Sequence, residues 1–406
     1  MTIASAPLFA LLRSREEFGK AELPLLTVKS EVGVELRDMS QGRSPSEDLS
    51  KYRVVRGGDL VVNRLWARFG AYGVSRQSGI ISPAYWVFQL EESRVHPGFL
   101  HYLLRSAPYR GEIDRVSKNM PPNGYELPWE RFRRIEVELP AMEEQWRIAD
   151  FLDAETARID RLVELKLGQA RLLDARKQGL ISELSEHLIA LFGVVQLRHV
   201  MLEIEQGWSP QCEERAAGPN EWGVIKAGCV NGGKFIEEQH KTLPADVAPR
   251  IQYRLRSGDL LMSRASGSVD LIGSVAVVPD HVRKLLLCDK IYRLRVDPRL
   301  SSAHFLAFML RSHTNRERIK LGISGAEGMA NNLPTAVVKS CIVPAAPLDV
   351  QERSAVELQR DISAIEELQH LIAAQVSLLM ERRQALITAA VTGQFDMTTG
   401  RGADLS

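Results

Sequence analysis

The chain has 406 residues, with 52 Lys and Arg against 51 Asp and Glu. That balance excludes a histone-like polycation but not a nucleic-acid binder with clustered arginines. At 45% hydrophobic and 25% charged it reads as an ordinary globular composition with room for about two or three domains.

No apolar run approaches the ~18 residues of a membrane span, and no signal-peptide pattern opens the chain. Four cysteines without a CxxC pair read as buried thiols of a cytoplasmic protein, not as a disulfide framework or a zinc site.

In chain order, residues 1–142 form a first globular block. A weak helix candidate (Ala6 to Phe18) is followed by a short apolar strand, Leu23 to Val28, and by Gly33 to Leu36. After a polar loop from Ser40 to Ser50 comes Arg56-Gly57-Gly58-Asp59-Leu60, a Gly-Asp turn feeding a strand that ends at Arg64. An Asx turn explains Asp59 better than metal binding does. Ile80 to Leu90 reads as a strand and Pro97 to Arg110 as a helix. A Pro-rich loop then leads to Leu127-Pro128, and the strand Ile135 to Leu139 closes the block.

Residues 143–192 read as one long helix. Apolar residues step by three and four through Ile148, Leu152, Ile159, Leu162, Leu165 and Leu172, a narrow seam of the coiled-coil kind. A second block, 193–348, and a second helix, 349–394, retell this order before a tail at 395–406. Leu358, Ile365 and Leu368 stand 206 positions beyond Leu152, Ile159 and Leu162, and Arg256 to Arg264 stands 200 beyond Arg56 to Arg64. A register held without a gap marks a continuous helix, since an insertion rotates later side chains off the seam. Gly168 and Gly179, matched by Ala374 and Ala385, point to a close approach of backbones. Residues 1–22 are the poorest match, because the first copy lacks Gly207-Trp208-Ser209-Pro210. The fold class expected is α+β: two similar α/β domains and two long packed helices, related by a pseudo-twofold repeat.

A search for catalytic motifs finds none. Asn119-Met120-Pro121-Pro122 departs from an amino-methyltransferase motif at Met120, and no Gly-rich cofactor loop follows a strand upstream. Most candidate binding residues lie instead just past each Gly-Asp-Leu strand. They are Arg64, Trp66, Arg68, Tyr72 and Arg76 in the first block, and Arg264, Ser266 and Ser268 in the second. In the second block, Ser263 within the strand run and Lys226 upstream of it are candidates too. Arginine binds phosphate or reads guanine through two hydrogen bonds, and serine supplements both. The competing reading is a solvated loop whose arginines pair with neighbouring carboxylates.

Gly258 to Arg264, Asn332-Leu333-Pro334, Pro347 with Gln351-Glu352 and the run Ala385 to Asp396 resemble the specificity subunits of type I restriction–modification systems. The first half adds Gly58-Asp59-Leu60 and Leu139 to Gln145. The resemblance implies two target-recognition domains, an antiparallel helix pair and no catalytic site in the chain. It also implies double-stranded DNA as partner, with methyltransferase subunits (two copies expected) and endonuclease/translocase subunits. S-adenosylmethionine and ATP are then expected in those subunits only. The helices, including Ile148, Leu152, Ile159, Leu162, Leu358, Ile365 and Leu368, serve as spacer and docking surface.

A helix of roughly 45 residues spans about 65 Å, enough to place two blocks in major grooves at least one ~34 Å turn apart. The target expected is two different half-sites around an unread gap. Two other readings remain at this point: the specificity subunit of a related bifunctional cleaving methyltransferase, and a coiled-coil scaffold without a DNA role.

Overall fold

A computed structural model describes residues 4–39, 48–119, 124–324 and 331–394. The proline loop from Met120 and the tail from Phe395 lie outside them. The chain divides into two compact units, Met1–Leu167 with Ala373–Ser406, and Gly168–Ile372. Each unit therefore contains one globular block and half of each long helix.

The first unit opens with β1 (Ala4–Pro7) and β2 (Leu12–Ser14), then β3 (Leu26–Lys29), β4 (Gly33–Leu36), β5 (Arg53–Val55), β6 (Leu60–Asn63), β7 (Tyr72–Val74), β8 (Gly79–Ile81) and β9 (Tyr85–Leu90). Helices α1 (Pro97–Arg105) and α2 (Ala107–Val116) follow, then β10 (Lys118–Asn119), β11 (Tyr125–Glu126), α3 (Trp129–Phe132), β12 (Glu136–Leu139) and α4 (Met142–Phe192). Its main sheet has the order β2-β9-β6-β7, and β1 pairs with β12.

In the second unit the strands are β13 (Val194–Gln196), β14 (Met201–Gln206), β15 (Gly223–Ile225), β16 (His240–Thr242), β17 (Leu260–Ser263), β18 (Ala265–Ser266), β19 (Val275–Val277), β20 (Leu285–Leu286) and β21 (Ile291–Val296). They lead to α5 (Ala303–Met309), α6 (His313–Gly322), β22 (Asn331–Asn332), α7 (Thr335–Ser340), β23 (Ile342–Pro344) and α8 (Leu348–Val391). The main sheet, β14-β21-β17-β19, and the β13–β23 pair repeat the first unit.

Three expectations about the first block change. Ala6 to Phe18 is no α-helix: residues 4–14 supply β1 and β2 and take the same strand roles as 194–206 despite the poor match. An edge strand needs only alternating burial and a partner's backbone, which leaves little sequence signature. The Pro97–Arg110 helix breaks at Ser106, whose hydroxyl donates to Leu103 O at 2.7 Å, with Pro108 in the first turn of α2. The Ile80–Leu90 strand divides at Ser82-Pro83, where proline cannot continue the ladder.

The Gly-Asp turns are built alike in both units. Gly58 and Gly258 hold φ of 92° and 79°, which a side chain would strain. Asp59 and Asp259 each accept the N–H three residues back, from Arg56 at 2.8 Å and Arg256 at 2.9 Å. Arginines close both turns from different places in the chain: the half-buried Arg15 donates to Asp59 at 2.6 and 2.9 Å, and the buried Arg293 to Asp259 at 3.1 Å.

The start of each long helix is keyed to its block by a buried glutamine. Gln145 accepts the His96 N–H at 2.8 Å and donates to the Arg94 and Pro140 carbonyls. Gln351, 206 positions on, accepts from Ser301 and Ser302 and donates to the Leu300 and Ala346 carbonyls. In the first unit Ile148 and Leu152 of α4 share a core with Leu60, Phe99 and Phe132, joined by Ile387 and Ala390 of α8. In the second, Ile181 and Leu188 of α4 pack with Phe305, Leu306, Leu358 and Ile362.

Within each unit the helix halves run antiparallel. Arg383 of α8 donates to Asp160 of α4 at 3.0 Å in the first unit, and Gln369 donates to Ala170 O at 3.2 Å in the second.

The seam is placed one residue off over the middle of the helices. Leu162, Leu165, Leu172 and Leu368 are exposed, at 41%, 51%, 71% and 50%. The half-buried positions are Val163, Lys166, Ala170, Leu173 and Lys177 on α4, and Gln369, Ile372, Val376 and Leu379 on α8. These step by four and three, the 3.5-residue period of a coiled coil, filled partly by lysine stems and small residues that hydropathy alone does not mark. Gly168 and Gly179 mark no close backbone approach, since an added Cβ would meet only side-chain tips at 3.9 and 3.7 Å.

Candidate functional site

In the first unit the segment after β6 forms an exposed tip. The Leu127 N–H donates to Arg64 O at 2.8 Å, tying the tip to β11 and α3. A 3-10 turn, Ala67–Phe69, ends at Gly70 with φ of 88°. Arg105, buried in α1, donates to Gly70 O at 3.0 Å, Tyr72 O at 2.8 Å and Ser30 O at 2.9 Å. The tip thus rests on a rigid base while presenting Leu65, Trp66 and Phe69, each more than a third exposed.

Arg64 is exposed at the base of the tip, 3.7 Å from Glu126. Arg68 pairs with Asp114 of α2 and lies 3.9 Å over the Tyr125 ring. Trp66 is 58% exposed, its ring 5.5 Å from Phe69. Arg76 lies apart from the tip, paired with Asp153 of α4.

Tyr72 is withdrawn from the candidate surface. It is 2% exposed, donates to Leu104 O at 2.9 Å, and burial pushes its pKa up to about 12. Ser263 is withdrawn too, at 1% exposure on β17. In both cases an inward strand position overrides the polar group's chemistry.

The second unit carries the same tip with different side chains. The Leu333 N–H donates to Arg264 O at 2.9 Å, and β18 pairs with β22. Arg316 of α6 donates to Ile272 O at 2.8 Å and Asp270 O at 2.9 Å, bracing a 3-10 turn at Val269–Leu271. The ion pair between turn and second helix is kept with its charges exchanged: Arg68 to Asp114 in the first unit, Asp270 to Lys320 at 3.4 Å in the second. That exchange argues that Arg68 is chiefly a structural partner, because either polarity does the same bracing.

Ser266 is half-buried and accepts the Ser268 N–H at 3.2 Å, while Ser268 is exposed. Arg264 is half-buried and donates to Asp289 O at 3.1 Å. Lys226 lines a neighbouring cleft of about 310 Å³ together with Ser209, Lys241 and Lys290. Lys241 pairs with Glu214, whereas Lys226 and Lys290 have no carboxylate partner among the described residues.

The Gly207 to Pro210 segment forms one wall of this cleft. The Trp208 N–H donates to Leu287 O at 3.0 Å, and Arg250 lies 4.3 Å over the Trp208 ring. Lys290 and Ser209 were not among the sequence candidates. Their signal is a difference between the copies, since the first block has no matching Trp-Ser-Pro segment.

The two surfaces therefore share a scaffold and differ at the tips, one aromatic and arginine-bearing, the other small, hydroxylic and lysine-lined. Such surfaces suit phosphate and base-edge contacts. No group of three or more His, Cys, Asp or Glu able to hold a metal occurs among the described residues. No described helix is long and apolar enough to cross a membrane.

No family model matches the chain. It is similar to the EcoEI specificity subunit of a type I restriction enzyme from Escherichia coli, 28% identical over 158 residues, which is 38% of this chain and 26% of that protein. The StySPI specificity subunit from Salmonella potsdam is 22% identical over 319 residues, 75% of this chain and 66% of that relative. The chain thus spans about a quarter of the length of the first relative and 66% of the second. A solved structure from work on complex assembly and conformational transition of the type I R-M system shares the fold. Its TM-score is 0.70 at 17% identity, over 97% of this chain and 98% of that one.

Proposed function

We propose that this chain, a relative of type I restriction enzyme specificity subunits, recognises an asymmetric two-part DNA target on behalf of methyltransferase and endonuclease/translocase subunits. The observation that carries the reading is the duplicated scaffold with unlike tips. Each unit holds the same main sheet, a braced turn and the same glutamine-keyed helix, while the tip chemistry differs. One scaffold with two readers fits two different half-sites, so the target is not a palindrome.

On this reading the chain has no catalytic group of its own, and S-adenosylmethionine and ATP act in the partner subunits. The exposed leucines of the long helices supply a docking surface for two methyltransferase copies. These are Leu162, Leu165 and Leu167 in the first unit, and Leu172, Leu368 and Leu371 in the second. Exposed apolar side chains at this density mark an interaction surface.

The test is methylome sequencing of the host with and without this gene. Loss of one bipartite motif on deletion supports the reading, and an unchanged methylome refutes it. The bifunctional alternative is separated by whether the partner carries cleavage and methylation in one chain.

Within this reading, Arg264→Ala is expected to weaken binding of the assembled complex by about 1–3 kcal/mol at a single base pair of one half-site. Competition with duplexes altered one position at a time measures it. An equal loss for every duplex would make Arg264 a phosphate contact instead.

A further inference from the structure

We infer that a cleft between the end of α2 and α3 in the first unit seats a backbone phosphate of the DNA. The inference rests on the DNA-recognition reading and names a contact that the tip residues do not provide. The cleft has a volume of about 390 Å³ and is lined by Glu112, Arg115, Val116, Arg131, Arg134 and Ile135.

Its three arginines are held to different degrees. Arg115 pairs with Glu112, its Nε donating at 2.9 Å. Among the described residues Arg131 reaches only the Val116 carbonyl, at 3.5 Å. Arg134 is exposed, and neither Arg131 nor Arg134 has a carboxylate partner among the described residues. Unpaired guanidinium groups converging on an open cleft match a phosphate, which they bind through paired N–H donors.

The repeat supplies an internal control. Helices α2 and α6 are both 10 residues long and stand 206 positions apart, as do Leu127-Pro128 and Leu333-Pro334. At that offset Arg115, Arg131 and Arg134 correspond to Leu321, Val337 and Ser340, while Glu112 corresponds to Arg318. The second unit builds the same helices without this arginine set, so the fold does not require it.

Position favours DNA as the occupant. Asp114 on α2 holds Arg68 of the tip, and Lys118 on β10 begins two residues beyond α2. The cleft therefore borders the surface assigned to base contacts, where phosphate contacts fix register and orientation.

The test uses the full chain assembled with its methyltransferase subunits and a duplex bearing the mapped motif. Arg131→Ala with Arg134→Ala is expected to cut affinity roughly tenfold, equally for cognate and scrambled duplexes, and to reduce the log–log salt slope by about one to two. Lys at both positions should restore most of the slope. Single neutral methylphosphonate linkages scanned along the duplex should weaken the wild type at one or two adjacent positions, and those positions should become silent in the alanine variant.

Wild-type binding with an unchanged salt slope in the variant overturns the phosphate site alone. Failure of the variant to assemble with the methyltransferase would place the arginines in a protein interface and also overturn it. Stabilisation of the wild type by inorganic phosphate, with no linkage sensitive in the scan, would assign a free-anion site instead. Absence of any motif-dependent binding by the wild type would overturn the DNA reading itself.

Discussion

Four residues added to each long helix at its middle are expected to lengthen the unread gap of the target by one or two base pairs, with both half-sites unchanged. Each helix starts in one compact unit and ends in the other, so both must grow together to keep their partners. The insertion belongs between Leu165 and Gly168 in α4 and between Ile372 and Val376 in α8. It does not belong near Glu183, because Ile181, Ser185 and Leu188 are buried there, at 0%, 3% and 4%. Four residues add about 6 Å at 1.5 Å per residue, close to two steps of ~3.4 Å along DNA. Seven residues, a whole heptad, keep the 3.5-residue seam in phase and should add about three base pairs. Sequencing the methylated motif of each variant gives the gap directly. A rigid spacer yields one new gap per variant, graded with length, whereas a tether tolerates several at once. A folded, active variant that methylates only the original spacing would show that the partner subunits set the distance.

The long helices and the duplication were legible because they write long, regular signals. An offset of 206 that carries Gln145 to Ile181 onto Gln351 to Ile387 leaves little freedom for any other reading. The middle of the seam was not legible, since Lys166, Ala170 and Lys177 occupy positions where a hydropathy reading looks for leucine. There the lysine stems pack, with the Lys177 ammonium group held by Asp174 at 3.1 Å, and Leu162, Leu165 and Leu172 face outward. The N-terminal strands were hidden for a different reason. Ala4–Pro7 and Leu12–Ser14 are held by backbone pairing to β12 and β9, and pairing of that kind selects few side chains.

At the tips, the sequence marks loop segments that the structure leaves partly exposed, but it does not assign faces. Tyr72 and Ser263 carry the chemistry of contact residues, yet each falls on an inward position, Tyr72 of the edge strand β7 and Ser263 of the internal strand β17. Arg131 and Arg134 carry no sequence signal of their own, because they sit at an ordinary Arg-rich helix end. Only the comparison with Val337 and Ser340 at the same place in the second copy sets them apart. In a duplicated protein, agreement between copies reports scaffold, and disagreement reports what each copy reads.

That division predicts where the second unit is most vulnerable. Arg293→Ala is expected to destabilise it by about 3–5 kcal/mol, the range for breaking a buried charge network from one side. Arg293 is 1% exposed in the middle of β21 and donates to Gln252 O at 3.0 Å, Arg254 O at 2.9 Å, Asp259 at 3.1 Å and Glu205 at 2.6 Å. Its removal leaves two carboxylates and two carbonyls short of a donor, and opens a cavity the size of its stem. The neighbouring Arg295 makes a good contrast. It also pairs with Glu205, at 2.7 Å, but its side chain is 33% exposed, so water replaces it and Arg295→Ala should cost below about 1 kcal/mol. Denaturant unfolding followed by hydrogen exchange localises the loss, because amides of β14, β17 and β21 should lose protection while those of β6 and β9 keep theirs. Equal, small effects of the two substitutions would mean that Arg293 is not what closes the Asp259 turn. The tip at Arg264, which continues from the same strand β17, would then owe its rigidity to the β18–β22 pairing and to Arg316 alone.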